Sequence, residues 1–275
     1  MAGVPDVRVP GVEVRRTGTR DAPPGAVLQQ WYDGDGRLIA TGGGDSGYWW
    51  MHWAGLATFW FGESGDVIAE PARSSPSSEL EDIFRRGVIP VVLLARGCEA
   101  LHASAAAHPG GVIAFCGTSG TGKSTLALAL SAQGLNHFAD DTVVYRWCGG
   151  RPMAVALPFP VRVNDPARRT AAPRSASDGL PRSTDAALIR IYHLVRDATL
   201  DPLCPRFVPV PEAMRFERLL AHSHPFELGT AERRRAFFEN LMRLAREVEL
   251  WECRFAPSLT ALPAFSSKIR EHAAV

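Results

Sequence analysis

Residues 111–133, GVIAFCGTSGTGKSTLALALSAQ, decide how this chain is read. Gly111 opens a short apolar run, VIAFC, with the length and composition of a buried strand. Beyond Lys123, STLALALSAQ is rich in alanine and leucine and reads as a helix ending before Gly134. Between them, Gly117-Thr118-Ser119-Gly120-Thr121-Gly122-Lys123-Ser124 satisfies the pattern G-x-x-x-x-G-K-[ST] in full. Three glycines let the main chain wrap a phosphate, and the unpaired N–H groups at a helix start donate to its oxygens. Lys123 can then pair with β- and γ-phosphate, and the Ser124 hydroxyl can ligate magnesium. Gly117 to Ser124, together with Thr125 in the first helical turn, are therefore the candidate positions for holding a nucleoside triphosphate.

The next segment, GLNHFADDTVVYR, predicts a strand over LNHFA that brings Asp140 and Asp141 to its carboxyl end. If that strand runs parallel to VIAFC, this end faces the glycine loop. One carboxylate can bind magnesium, directly or through water, while the other orients or deprotonates an attacking hydroxyl. The residues alone do not order these roles. Upstream, LHASAAAHPGG alternates with period two before Pro109-Gly110. A tight hairpin with His108 opposite Gly111 places His102 opposite Gly117, where an imidazole can neutralise phosphoryl oxygens, relay a proton or hydrogen-bond Asp140.

The whole chain bounds these readings. Its 275 residues suffice for one large core or two modest domains. Thirty Lys+Arg against 29 Asp+Glu leave a net charge of +1, so no broad positive field points to nucleic acid or an acidic membrane. The longest apolar run, Val88 to Ala95, contains Pro90 and falls far short of the roughly 20 residues that span a bilayer. The start, MAGVPDVRVPGVEVRR, lacks the apolar block of a secretory signal, which makes a cytoplasmic location the expectation. Five scattered cysteines form no Cys-x-x-Cys pair, and Cys116 within VIAFC reads as a core residue.

From Ala26 to Ala69, apolar segments alternate with turn signals, among them Asp33-Gly34-Asp35-Gly36 and Gly42-Gly43-Gly44, and predict antiparallel strands. Trp31, Trp49, Trp50, Trp53 and Trp60 supply bulk for the interior of that module. Asp33 and Asp35 read as turn residues, because the other ligands of a calcium loop are missing. PARSSPSS, residues 71–78, marks a boundary, and Ser78 with Glu81 has the spacing of a capping box. RRGVIPVVLLARG fits either a helix or a buried strand. Residues 166–185 are breaker-rich and predict an exposed loop or flap. In AERRRAFFENLMRLAREVEL, Phe237, Leu241, Leu244 and Val248 recur at helical spacing behind a Thr230 cap, with Arg233, Arg234 and Arg235 on a solvated face. The expected organisation is a β-rich module at 1–77, a connecting segment at 78–96 and an α/β core at 97–275.

Residues 101–146, LHASAAAHPGGVIAFCGTSGTGKSTLALALSAQGLNHFADDTVVYR, resemble the catalytic core of the HPr serine kinase/phosphorylase-related family. They are similar in particular to its stand-alone small kinases with LHASA before the loop and ADD after it, including enzymes associated with modification of peptide natural products. The resemblance implies a P-loop kinase core with a mixed central sheet, preceded by a small antiparallel β module. It also implies ATP, magnesium and transfer to a serine-like hydroxyl. Carried onto matching positions, it gives His102, Lys123, Asp140 and Asp141 as catalytic residues, with Asp140 as the acceptor-side base and Ser124 and Asp141 on magnesium.

The chain departs from the HPr-modifying branch after the acids: the LEIRG stretch is absent and FPVRVNDPARR stands in the chain instead. HPr is therefore not the expected acceptor, and Arg162 or Arg168 become candidates for binding phosphate or acceptor. His222 and His224, in LLAHSHPFEL, are further candidates for the acceptor pocket. The expected partners are a nucleoside triphosphate and a peptide or small hydroxyl-bearing molecule. A small-molecule or amino-acid kinase, an ATPase switch and a recognition module without turnover are the other classes compatible with this pattern.

Overall fold

In the computed structural model, which describes residues 14–157 and 184–274 except 34 and 46, the chain divides into two compact units. The first comprises Met1–Cys98 with Pro225–Ala236, and the second Glu99–His224 with Phe237–Val275.

The first unit is a sheet with the order β1-β6-β5-β4-β3-β2. Its strands are β1 (Val14–Arg16), β2 (Gln29–Tyr32), β3 (Leu38–Asp45), β4 (Tyr48–Trp53), β5 (Ala57–Gly62) and β6 (Val67–Pro71). Pairing is antiparallel from β2 to β6, whereas β1 joins β6 in parallel. Asp33 Oδ1 accepts the N–H groups of Asp35 and Arg37, both at 2.9 Å, which is the turn role expected of it. Trp49, Trp50 and Trp53 are buried, and Trp53 meets Phe59 edge to face at 5.8 Å between centroids.

The glycine triplet is a different matter. Gly42, Gly43 and Gly44 form no turn; they lie inside β3, which runs on to Asp45. A Cβ on Gly42 would stand 2.6 Å from the Trp31 ring, and one on Gly43 2.6 Å from the Trp50 ring. The glycines are there so that indole rings can lie against bare backbone.

After β6 come α1 (Ser77–Ile83), a π-helical turn (Phe84–Val88) and α2 (Ile89–Ala95), so the ambiguous apolar run is helical. The expected capping box does not form, because the helix starts at Ser77 with Pro76 at its N-cap and no side chain capping it. Glu81 instead pairs with Arg85 one turn on. Arg233 also departs from expectation. Its guanidinium donates to the carbonyls of Leu94 at 3.0 Å and Cys98 at 2.6 Å, closing the end of α2.

The second unit holds the α/β core. Its strands are β7 (Glu99–Leu101), β8 (Ala103–His108), β9 (Gly111–Cys116), β10 (Asn136–Ala139), β11 (Val143–Cys148), β12 (Arg151–Ala154), β13 (Ala186–Arg196), β14 (Arg206–Pro209) and β15 (Glu249–Phe255). Its helices are α3 (Lys123–Ala132), α4 (Glu212–Leu220), α5 (Ala231–Glu247, which enters this unit at Phe237) and α6 (Leu262–Ala273). The sheet runs β10-β8-β9-β13 and is mixed. β9 and β15 flank β13 in parallel, while the first residues of β13 pair antiparallel with β12.

Alternation along β9 explains why helices cover both faces. Val112, Ala114 and Cys116 point to a layer containing Leu219 of α4 and Phe237, Leu241 and Leu244 of α5. Ile113 and Phe115 point the other way, to Leu126, Ala127 and Leu130 of α3 and Phe265 and Ile269 of α6. The helical spacing read from Phe237 to Leu244 is the buried stripe of α5, but the helix ends at Glu247 and β15 begins at Glu249. Thr230 Oγ1 accepts the Arg233 N–H at 3.3 Å, as a cap does. Among the described residues no helix is long and apolar enough to cross a membrane. Arg162, Arg168 and the expected flap at 166–185 lie outside the described residues, apart from Thr184 and Asp185.

Leu244 is fully buried against the sheet, whereas Phe238 on the same helix is 46% exposed. Leu244→Ala should therefore lower unfolding free energy by about 2–5 kcal/mol. Phe238→Ala should cost less than about 1 kcal/mol, and paired urea melts measure the difference.

Candidate functional site

The glycine loop leaves β9 at Cys116 and enters α3 at Lys123. Gly122, the N-cap of α3, has φ 110°, a left-handed conformation that favours glycine and turns the loop into the helix axis. The loop is closed on itself: the Thr118 carbonyl accepts the Thr121 N–H at 3.2 Å and the Thr121 hydroxyl at 2.6 Å. Lys123 is 7% exposed and folds back, its Nζ donating to the carbonyls of Gly117 at 2.8 Å and Thr118 at 3.3 Å. Burial lowers the pKa of its ammonium, against the opposing pull of Cys116, Asp141 and Asp140. A desolvated cation at the start of a helix is a strong binder of anions.

The hairpin register is the one counted from sequence, His108 opposite Gly111 through to Ala103 opposite Cys116. His102 is the next residue, at a bend beyond the strand end. β10 is antiparallel to β8, which is antiparallel to β9, so β10 and β9 run in the same direction. Asp140 and Asp141 consequently lie at the loop end of the sheet.

The two acids differ sharply in setting. Asp140 is 8% exposed and accepts a hydrogen bond from Ser104 Oγ at 3.0 Å, and Ser104 Oγ stands 3.2 Å from Ser124 Oγ. Asp141 has a side chain 79% exposed, with Oδ1 3.4 Å from His102 Nδ1. Its φ of 73° puts it in the left-handed region, at a cost of about 1 kcal/mol for a non-glycine residue. The Asp141 carbonyl accepts the Ala103 N–H at 3.2 Å, which secures the turn to β8.

Three contributors were not legible in sequence. Ser104 links Ser124 to Asp140, yet it is one small residue in an alanine-rich strand. Arg196, at the end of β13, donates Nε to the Thr121 carbonyl at 3.2 Å and Nη2 to the Gly120 carbonyl, bracing the loop. His193 sits opposite Cys116 across the parallel pairing of β13 with β9. The latter two enter through a strand pairing that joins residues about 75 positions apart, and no short-range pattern encodes it.

His222 and His224 follow α4 and are tied to this corner by the main chain. His222 offers its carbonyl to the His102 N–H at 2.6 Å, and the His224 N–H donates to the Ala100 carbonyl at 2.9 Å. The His102 and His224 rings meet edge to face at 5.7 Å, and those of His193 and His222 are 5.1 Å apart. Beside the second half of the loop lies a separate, mainly apolar cavity of about 310 Å³. Thr121, Gly122, Thr125 and Arg196 line one wall, and Phe255, Pro257, Leu262 and Phe265 are among the residues that complete it.

Among the described residues no cluster of His, Cys, Asp and Glu has the geometry of a self-sufficient metal cage. Ser124 and Asp140 are nevertheless oxygen donors of the kind that holds magnesium together with phosphate and water, where the protein supplies only one or two ligands.

No family model matches the sequence, and no curated protein matches it. Among solved structures, the HPr(Ser) kinase/phosphatase from Coxiella burnetii is remotely similar, with 14% identity and a TM-score of 0.35 over 64% of this chain and 96% of that one. Likeness at that level decides neither family nor activity.

His222 is held down to about 4 by burial and by the charges of His193, Lys123, His102 and Arg218. A folded pKa below the unfolded value of about 6.5 means that the unfolded chain binds the extra proton, so this contribution to stability is present above pH 6.5 and lost as pH falls towards 4. Urea melts between pH 4.5 and 7.5 should therefore show a shallower pH dependence for His222→Gln than for the parent chain.

Proposed function

We propose that the protein is an ATP- and magnesium-dependent phosphotransferase that moves γ-phosphate to a hydroxyl, with a serine of a peptide as the favoured acceptor. The observation that carries this reading is the convergence at one sheet end of the glycine loop, the buried Lys123, the chain Ser124–Ser104–Asp140 and the Asp141–His102 pair. The apolar cavity beside Thr125 suits the planar base of the nucleotide, and its volume exceeds what a purine needs.

Magnesium, held by Ser124 and Asp140, would supply charge neutralisation at the β- and γ-phosphates. Lys123 leaves the Gly117 and Thr118 carbonyls for the phosphate oxygens, and the loop N–H groups donate to the same anion. Asp141, exposed and turned outward, accepts the proton of the incoming hydroxyl while His102 orients its carboxylate. This divides the acids in the opposite sense to the family resemblance, and it follows from burial: the acid joined to Ser124 is Asp140. All these groups come from within residues 97–275; the module at 1–77 and the segment at 78–96 contribute none of them.

With γ-labelled ATP, magnesium and a cell extract, the expected outcome is a labelled hydroxyl ester. Phosphate release without a labelled acceptor would make the protein an ATPase switch, and binding without turnover a recognition module. Asp141→Asn should keep magnesium-dependent nucleotide binding and lose transfer by about 10²–10⁴-fold. Asp140→Asn should weaken the magnesium dependence of binding itself, measured by calorimetry with and without the metal. The reverse pattern would restore the division that the resemblance implies.

A further inference from the structure

The corner beyond Asp141 contains more imidazole than phosphoryl transfer needs. His102 comes from the bend after β7, His193 from β13 and His222 from the turn after α4. The isolated bridge between Leu101 and Ser223 and the His102 N–H to His222 carbonyl bond hold two of these segments together. Arg218 of α4 adds a guanidinium whose charge acts on both His193 and His222.

A shared metal ion does not explain the group. Zinc–imidazole nitrogen bonds of about 2.0–2.1 Å require the rings to converge on one point. No set of three such ligands among the described residues does so. Packing does not explain it either, since His193 Nδ1 is buried without a hydrogen-bond partner, a deficit that works against folding. That unfilled hydrogen-bonding position, in a ring 5.1 Å from the His222 ring and under the charge of Arg218, calls for a polar ligand, and the cationic surroundings favour one with negative charge.

We propose that His102, His193, His222 and Arg218 form a receiving site for a compact oxyanion, a carboxylate or phosphate, carried by the molecule that accepts the phosphoryl group. The anion site stands on these side chains alone; calling its occupant the acceptor rests on the phosphotransferase reading. The surrounding charges fit. Lys123 from α3, Arg218 from α4 and His193 from β13 bear on His222, and the opposing carboxylates are Asp141 beside His102 and Glu252 of β15, which pairs with Arg218 at 3.7 Å and acts on His193. Without an anion, burial and the cationic neighbours hold His222 and His193 below the ordinary imidazole pKa. An arriving oxyanion reverses that balance, so binding brings protons with it.

The test is a titration of the full chain, at pH 6.0 and 8.0, with inorganic phosphate and separately with acetate, followed through the imidazole resonances by NMR. The expected result is movement of the His193 and His222 signals towards the protonated position, with tighter binding at pH 6.0. Binding should weaken about tenfold in either His193→Gln or His222→Gln, and remain unchanged in Arg270→Gln, a remote exposed control. The anion that binds more tightly identifies the group the acceptor carries.

Repeating the phosphate titration with saturating magnesium and a non-hydrolysable ATP analogue separates the two sources of phosphate. Retained imidazole shifts support an acceptor-side site, whereas their loss would assign the histidines to the nucleotide and overturn the proposal. Imidazoles that respond to neither anion also overturn it. If the nucleotide analogue does not bind but the anion still moves these resonances, the oxyanion site stands and the phosphotransferase reading falls.

Discussion

The parallel pairing of β9 with β13 is the constraint on which the rest of the site depends. It sets His193 opposite Cys116, the last residue before the glycine loop, and carries Arg196 far enough to hold the loop carbonyls of Gly120 and Thr121. Both strands are buried on both faces, so a one-residue slip would exchange the residues facing α3 with those facing α5 and disrupt two cores together. Register is thereby fixed by hydrophobic burial, and the polar site inherits its geometry from it.

Charge management follows from the same layering. The loop end of the sheet carries Lys123, His193 and His222, which burial drives towards their neutral forms, and two carboxylates of different exposure. Two adjacent acids on a regular strand would also point to opposite sides, but both would stay bound to the sheet. Here the Asp141 carboxylate is exposed beside His102, and Asp140 is buried against Ser104. Solvation thus separates a buried carboxylate, Asp140, from an exposed one, Asp141.

Much of this was legible from residues alone. The strand, loop and helix around Lys123 follow from short-range composition, and the hairpin register that brings His102 beside the loop follows from counting across Pro109-Gly110. Signals that depend on a residue type having a single use were less dependable. The glycine triplet at 42–44 looks like a turn but makes room for indole rings, and Ser78 with Glu81 has capping spacing although the helix begins one residue earlier. Arg233 looks like one of three solvated arginines, yet it closes a helix end through two carbonyls.

The sequence by itself determined the glycine loop between strand and helix, the alternating core positions and the nearness of His102 and the acids, because each rests on contacts between residues close in the chain or joined by one tight turn. Only the tertiary structure decided which acid reaches Ser124, that Arg196 braces the loop, and that His193 and His222 gather beside His102. Those relations arise where β13 and the turn after α4 meet β9 and β7. Long-range strand pairing is selected by burial of apolar side chains, which leaves no local mark on the polar residues it brings together.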